Sequence, residues 1–328
     1  MTKVIRWGII GTGNIAHQFA RGLQSVSDAE LVAVGSRSQA SADKFGDEFN
    51  VPNRHATYEA LASDSSVDAV YIATLHNFHK ENALLCLQNH KGVLLEKPFT
   101  VNAQEAEEVI NFAREQGVFL MEAMWTRYFP AMIKLRDLLA AGAIGDIMLV
   151  QADFGFRMGT VLPKHRIFDP DFVGGALLDV GIYPISLASM IFGKQPERIS
   201  SMAHMGETGV DELSAMIFGY EHNQMAIATT AIQVNTPHEA RISGSEGRIH
   251  MPDFWHPTEL TLFRDDQPPQ TFDCPFDGNG YNYEAMEVGK CLREGKLESD
   301  IMPLDESLAL MQTLDKIRAE WGLKYPME

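Results

Sequence analysis

Hydrophobic positions along this chain fall into two regimes. Residues 3–10 are nearly unbroken apolar, and Ile15, Phe19, Ala20 and Leu23 then recur every three or four positions. A short apolar run reads as a buried strand, and the second spacing reads as one face of a helix. The alternation continues, predicting strands over 3–10, 30–35, 68–73, 91–95 and 118–122 with helices over 14–25, 39–48, 78–89 and 103–117. Strands separated by helices imply βαβ units and a parallel sheet. From about residue 145 strand-like segments follow one another instead, over 146–157, 197–205, 213–219, 224–232, 239–243, 247–251 and 258–263. Several are joined by short turns, including His222-Asn223 and Ser245–Gly247, as in a mostly antiparallel sheet. One helix over 179–193 interrupts them, and helices over 280–294 and 304–321 close the pattern. No internal repeat or low-complexity tract is present.

The first strand–helix junction carries chemistry. Gly11, Gly13 and Ala16 stand in the order G-x-G-x-x-A, with Thr12, Asn14 and Ile15 in the same turn. Gly11 permits a sharp turn, Gly13 leaves room for a pyrophosphate, and Ala16 lets helix and strand pack closely. The helix N-terminus offers free N–H groups and a positive dipole end. The alternative is a glycine turn kept for packing alone. Flanked by strand and helix, the motif predicts a Rossmann-type dinucleotide site. At the end of the second strand an NAD-selective site tends to carry a carboxylate for the ribose 2′-hydroxyl. Here Ser36, Arg37 and Ser38 follow instead. An arginine and two serines suit a 2′-phosphate, so NADP is expected, with NAD possible. The bland reading is a polar loop capping the next helix. Another buried-type strand runs straight into Glu96-Lys97-Pro98. Ligands of open α/β sheets lie at the carboxyl ends of strands, which puts Lys97 at the right edge to meet nicotinamide or substrate. Most lysines, however, are simply solvated.

Bulk properties narrow the class further. A chain of 328 residues is long enough for two domains. No apolar run reaches the ~18 residues of a membrane span, and the N-terminus lacks signal-peptide regions. Cys86, Cys274 and Cys291 are scattered, which suggests reduced thiols and a cytoplasmic setting. The net charge of −17 argues against nucleic acid or anionic membranes as partners. His76 and His79 have a spacing compatible with metal binding, but no Cys or acidic cluster accompanies them, so no metal is expected.

Together the N-terminal fingerprint, Glu96-Lys97-Pro98 and Gly174–Pro184 (GGALLDVGIYP) resemble the glucose–fructose oxidoreductase / inositol dehydrogenase / MocA-type family over essentially the whole chain. Phe119–Pro130 (FLMEAMWTRYFP) and Arg166–Asp179 (RIFDPDFVGGALLD) are most similar to its dimeric dihydrodiol dehydrogenase and NADP-dependent xylose dehydrogenase branch. The resemblance implies an α/β Rossmann domain over 1–122 and an α+β substrate-binding and dimerisation domain over 123–328. The second would carry a large, mostly antiparallel open sheet, and the C-terminal helix could pack back on the first domain. It implies catalytic roles for Lys97, Asp179 and Tyr183, tyrosine standing where inositol-type members carry histidine. With Asp179 and Tyr183 opening a helix, positions i and i+4 share one face. A lysine cation near the phenol would favour the phenolate and let it accept a proton. Without the family, Tyr183 reads as a packing tyrosine and Asp179 as an N-cap. Thr74 and His79 match a family motif after the preceding strand, whereas Leu75 and His76 depart from its Pro and Asn. His76 is read as lining the nicotinamide ribose site. Thr74, His79 and Glu96 complete the expected cofactor set.

Trp125 and Arg127 follow the next strand and suit a sugar or arene ring. A junction tryptophan with a salt-bridged arginine is the competing reading. The function expected is a cytoplasmic NADP-dependent oxidoreductase, assembled as a homodimer or higher even oligomer through the C-terminal sheet. It would move a hydride between NADP(H) and a secondary alcohol or hemiacetal of a sugar, polyol or cyclic diol. Two alternatives stand beside it. One is a redox-neutral hydrolase or epimerase with tightly held NAD. The other is a non-enzymatic NADP sensor, which would have no need of proton-transfer groups.

Overall fold

The computed structural model describes residues 3–265 and 267–328. The chain divides into two compact units, one formed by the chain up to Tyr128 with Asp277–Leu308, the other by Phe129–Phe276 with Ala309–Glu328. Residues 277–308 thus group with the first unit although they follow the second in sequence.

In the first unit β1 (Ile5–Ile10), β2 (Ala29–Gly35), β3 (Asn53–His55), β4 (Ala69–Ile72), β5 (Gly92–Glu96) and β6 (Leu120–Ala123) form a parallel sheet in the order β3-β2-β1-β4-β5-β6. Helices α1 (Asn14–Leu23), α2 (Gln39–Phe49), α3 (Tyr58–Ala62), α4 (His79–Gln88) and α5 (Ala103–Gln116) connect the strands. The βαβ reading holds. Its omissions are β3 and α3, three and five residues long, too short to show a period. Fully buried Trp7, Phe19 and Tyr71 centre the core, Phe19 stacking on Tyr71 at 3.8 Å and meeting Trp7 edge-on at 5.2 Å. Burying each large apolar side chain stabilises the fold by about 1.5–3 kcal/mol.

The second unit opens with α6 (Pro130–Ala140), a helix the sequence reading did not include. Its Pro130 occupies the first turn, where a missing N–H costs nothing. Strands β7 (Ile147–Gly155), β8 (Arg198–Met205), β9 (Asp211–Gly219), β10 (Met225–Ala231), β11 (Ala240–Gly244), β12 (Gly247–Met251), β13 (Glu259–Arg264) and β14 (Gln270–Asp273) make a sheet in the order β14-β13-β12-β11-β7-β10-β9-β8. Within this sheet, among the described strands, only β7 and β10 pair in parallel. Helix α7 (Ile182–Phe192) packs on this sheet. It starts later than the expected 179, because Leu177–Gly181 forms a π-turn ahead of it. The apolar segment Pro170–Phe192 has the length and composition of a membrane span, yet 83% of its apolar window is buried within the protein. Helix α8 (Tyr281–Glu294) lies in the first unit, and α9 (Leu304–Trp321) begins in the first and ends in the second.

Candidate active site

The parallel sheet sets the geometry of the first half of the site. Strand order reverses between β1 and β4. Ligands of such sheets lie outside the carboxyl ends of strands at this switch point. Gly11, Ser36, Thr74, Lys97 and Trp125 all follow the carboxyl ends of their strands, β1, β2, β4, β5 and β6.

Gly11 has φ +99°, and a Cβ there would lie 2.7 Å from the Ala73 carbonyl oxygen. The loops after β1 and β4 therefore touch, and only glycine allows it. Gly13 differs. It is the extended N-cap of α1, makes no side-chain cap, and a Cβ there would meet nothing within 4 Å. Gly13 and Asn14 are exposed. The start of α1 thus presents uncapped amides to open space, the arrangement that receives a phosphate. A dinucleotide pyrophosphate fits this cradle, and Ala16, fully buried, lets α1 lie close against the sheet.

At the end of β2 the three expected residues have separate fates. Ser36 is buried, with its N–H on the His55 carbonyl at 3.1 Å and its hydroxyl 3.5 Å from that of Thr12. Ser38 caps α2, accepting the Ser41 amide at 3.3 Å and donating to the Ser41 hydroxyl at 2.9 Å. Arg37 is exposed, and the Tyr58 phenol faces it. Burial raises the Tyr58 phenol, and the guanidinium charge opposes that rise. No carboxylate stands among residues 36–38 to meet a ribose 2′-hydroxyl. Arg37 is the residue able to hold a 2′-phosphate; Tyr58 lies beside it and carried no sequence signal, since α3 is a single turn and a half.

After β4, Thr74 accepts from the Asn82 amide at 3.3 Å. His76 is buried, its ring 5.5 Å from that of His79. His79 is fully enclosed, with Nδ1 3.0 Å from the Pro98 carbonyl and Nε2 3.3 Å from that of Thr74. Burial holds this imidazole down at about 4, against the opposing pull of those carbonyls. His79, expected in the cofactor set, is held between the loop after β4 and the segment after β5. A neutral ring carries one N–H and can donate to only one of the two carbonyls at a time.

Lys97 follows β5, with its backbone N–H on Glu96 Oε2 at 3.2 Å. The Tyr71 hydroxyl donates to Glu96 Oε1. Glu284 from α8 is wholly buried near this pair, and burial together with the Glu96 charge holds its carboxyl far above the usual range. Glu96, the residue before the lysine, thus joins Tyr71 and Glu284 in a buried cluster of acids and a phenol, which sequence reasoning missed because Glu284 is distant along the chain. Trp125 stacks on Tyr281 at 4.4 Å and 11°. Arg127 is 3% exposed and grips Glu306 through both terminal nitrogens at 2.7 and 2.6 Å, with a further bond to the Ile301 carbonyl at 3.1 Å. This is the salt-bridged arrangement the sequence left open, and it turns the guanidinium into the protein.

In the second unit Asp179 sits in the π-turn and Tyr183 in the first turn of α7. Asp179 is no N-cap; its carboxylate takes the Arg166 guanidinium at 3.0 Å. Tyr183 is buried, with its ring 5.3 Å from Phe154. Phe154 in turn stacks near Trp255 at 5.1 Å and meets His238 at 4.8 Å. An aromatic wall on the inner side of β7 thus accompanies the phenol. Phe154 showed only strand alternation in sequence, and Trp255 lies in a loop with no motif. Among the described residues no group of three or more His, Cys, Asp or Glu is placed to hold a metal ion.

Residues 5–124 match the family described as an oxidoreductase family with an NAD-binding Rossmann fold, and residues 132–250 match the GFO/IDH/MocA C-terminal domain. Trans-1,2-dihydrobenzene-1,2-diol dehydrogenases of Mus musculus and Homo sapiens are 42% and 40% identical, with 99% of each chain covered. A 3-ketoreductase from Actinomadura kijaniata, solved with NADP and TDP-benzene, superposes with TM-score 0.85 at 26% identity, covering 97% of this chain and 98% of that one. An aldose-aldose oxidoreductase from Caulobacter crescentus shares the fold at TM-score 0.88 and 21% identity, covering 98% and 99%. Fingerprint, sheet order and similarity over both halves agree that the chain belongs to the GFO/IDH/MocA oxidoreductase family.

Proposed function

We propose that this protein is an NADP-dependent dehydrogenase that interconverts a secondary alcohol or hemiacetal of a ring-shaped sugar, polyol or cyclic diol with its carbonyl form. The observation that carries the cofactor half is the uncapped N-terminus of α1 beneath open space at Gly13, on the same sheet edge as Lys97. Bound NADP supplies the hydride acceptor, and NADPH the donor. The α1 amides hold the pyrophosphate and Arg37 the 2′-phosphate. Lys97 and Tyr183 act as the proton-handling pair, Tyr183 taking the hydroxyl proton during oxidation and returning it during reduction. Asp179, oriented by Arg166, positions the pair or the substrate.

Support for a ring-shaped substrate comes from the wall of Phe154 and Trp255 beside Tyr183. Flat apolar faces pack well on such side chains. The names of the relatives point the same way, a dihydrobenzene diol dehydrogenase and a 3-ketoreductase solved with TDP-benzene. We also propose a homodimer built on the open face of the second sheet. There Met202, Leu213, Ile217 and Met225 are 78%, 45%, 45% and 41% exposed, although the strand pairing places them together on one face. Contiguous apolar patches of this kind are uncommon on monomers. The free thiols of Cys86, Cys274 and Cys291 suit a reducing, cytoplasmic setting.

An NADP-linked absorbance screen across aldoses, polyols, ketoses and dihydrodiols tests the reading. On the substrate found, Lys97→Met and Tyr183→Phe should each lower kcat by roughly 10²–10⁴, the range for losing general acid–base catalysis. The double variant should be little worse than either single one, because the two act as a unit. Wild-type kcat in Tyr183→Phe would remove the tyrosine from the mechanism.

A further inference from the structure

The turn that feeds the π-turn is built around a buried acid to which the mechanism above gives no role. Gly174 and Gly175 precede Ala176 and the π-turn Leu177–Gly181. A Cβ on Gly174 would lie 2.7 Å from the Ile167 carbonyl oxygen, and Gly175, at φ +119°, would press one into the Asp211 carboxyl. Asp211 opens β9 and is 0% exposed. Its Oδ2 accepts the Leu177 amide at 2.7 Å. Its Oδ1 is enclosed with no hydrogen-bond partner among the described residues. Two further contacts hold the same turn: the Thr230 hydroxyl donates to the Ala176 carbonyl at 3.3 Å, and the Tyr325 hydroxyl to the Gly174 carbonyl at 2.8 Å.

A π-turn leaves its leading amides without the usual partners, and the register it adopts decides which side chains share a face. Asp211 supplies the partner for the leading amide. We infer that Asp211 is a positioning residue for the reaction, its buried carboxyl setting the register of the π-turn so that Asp179 and Tyr183 are presented together. This rests on the reading of Tyr183 given above. Burial pushes the Asp211 carboxyl up to about 7, against the amides of Leu177, Asp211 and Ala176 and the Arg318 guanidinium of α9. The Tyr325 phenol also faces it, and burial together with the Asp211 charge holds that phenol well above its ordinary value. What the turn uses is the oxygen that accepts the Leu177 amide, and an amide of the same shape keeps that acceptor.

The test compares Asp211→Asn, which keeps shape and acceptor, with Asp211→Leu, which keeps shape alone. Asp211→Ser, too short to reach Leu177, serves if the leucine variant does not fold. Each is read by steady-state kinetics, NADP titration and hydrogen exchange. Asp211→Leu should lower kcat by about 10²-fold, the scale for small misplacement of reacting groups. KM and NADP affinity should stay within about twofold, since an effect confined to the reacting groups acts on the turnover step alone. Exchange should quicken over 176–183 and not over β10. Asp211→Asn should restore kcat to within about threefold of wild type, about what the surviving acceptor predicts. Wild-type kcat and exchange in the leucine and serine variants would overturn the inference, as would an asparagine variant no better than they are. Tyr183→Phe run alongside separates the two claims. If it keeps wild-type kcat, the catalytic reading has failed, and selective loosening of 176–183 still decides whether Asp211 positions the turn.

Discussion

Single side chains divide into those whose role follows from type and position and those whose role follows from surroundings. Arg37 belongs to the first kind, an exposed arginine after β2 with no acid beside it in sequence. Arg37→Ala should cost NADP on the order of 1.5–3 kcal/mol of binding and leave NAD nearly unchanged, read by fluorescence titration with both cofactors. Equal affinities in the wild type would remove the NADP assignment. Glu122 belongs to the second kind. It ends up 1% exposed near Ser307, Arg127 and Glu306, and burial pushes its carboxyl up to about 7, against the pull of the Ser307 hydroxyl and the Arg127 charge. The unfolded chain releases this proton near the ordinary value of 4.5. Between those values the folded state binds more protons, so the stabilisation from neutral Glu122 is complete below about 4.5 and is lost as pH rises through about 7. Glu122→Gln should flatten the difference in melting temperature across that window and stabilise the protein at pH 8 by on the order of 2 kcal/mol. Unchanged melting curves at both ends would refute it.

Elements with a long, clean period were legible in the sequence, and those without one were not. Strands β1, β2, β4 and β5 and helices α1, α2, α4 and α5 sit within a few residues of where the apolar spacing puts them. Helix α6 escaped notice because its segment bridges the two regimes, and β14 because a four-residue edge strand carries little alternation. The π-turn before α7 was invisible, since inserting one residue into a helical turn changes register without changing composition. The start of α1 shows how an element end can favour a ligand over its own stability. Gly13 is in extended backbone that any residue adopts, so Gly13→Asp should cap the helix and add a few tenths of a kcal/mol. The same carboxylate would occupy the phosphate cradle, and like-charge contact costs several kcal/mol, so NADP affinity should fall on the order of 10²-fold or more. A variant that melts higher yet binds NADP as before would show that the phosphate lies elsewhere.

At the scale of the whole molecule the second sheet exposes apolar side chains on the face opposite α7, and the dimer proposed here covers them. Ile217→Lys places a charge in the middle of that face, where burial without a partner is costly. Light scattering should then report the monomer mass with secondary structure retained, against the dimer mass for the wild type. A wild-type monomer at micromolar concentration would end the proposal. The sequence alone determined the succession of the longer strands and helices, the dinucleotide turn and the position of Lys97 at a strand end, because periodicity and glycine spacing are local and backbone sterics read them directly. Only the tertiary structure decided that Arg127 turns inward to Glu306, that both ring nitrogens of His79 face backbone carbonyls, and that Glu284 is buried near Glu96. It alone brought Phe154 against Tyr183 and Trp255 against Phe154, and set Asp211 under the π-turn. Those partners lie tens to hundreds of residues apart, and a side chain's burial and charge are properties of what folds against it, which no local pattern encodes.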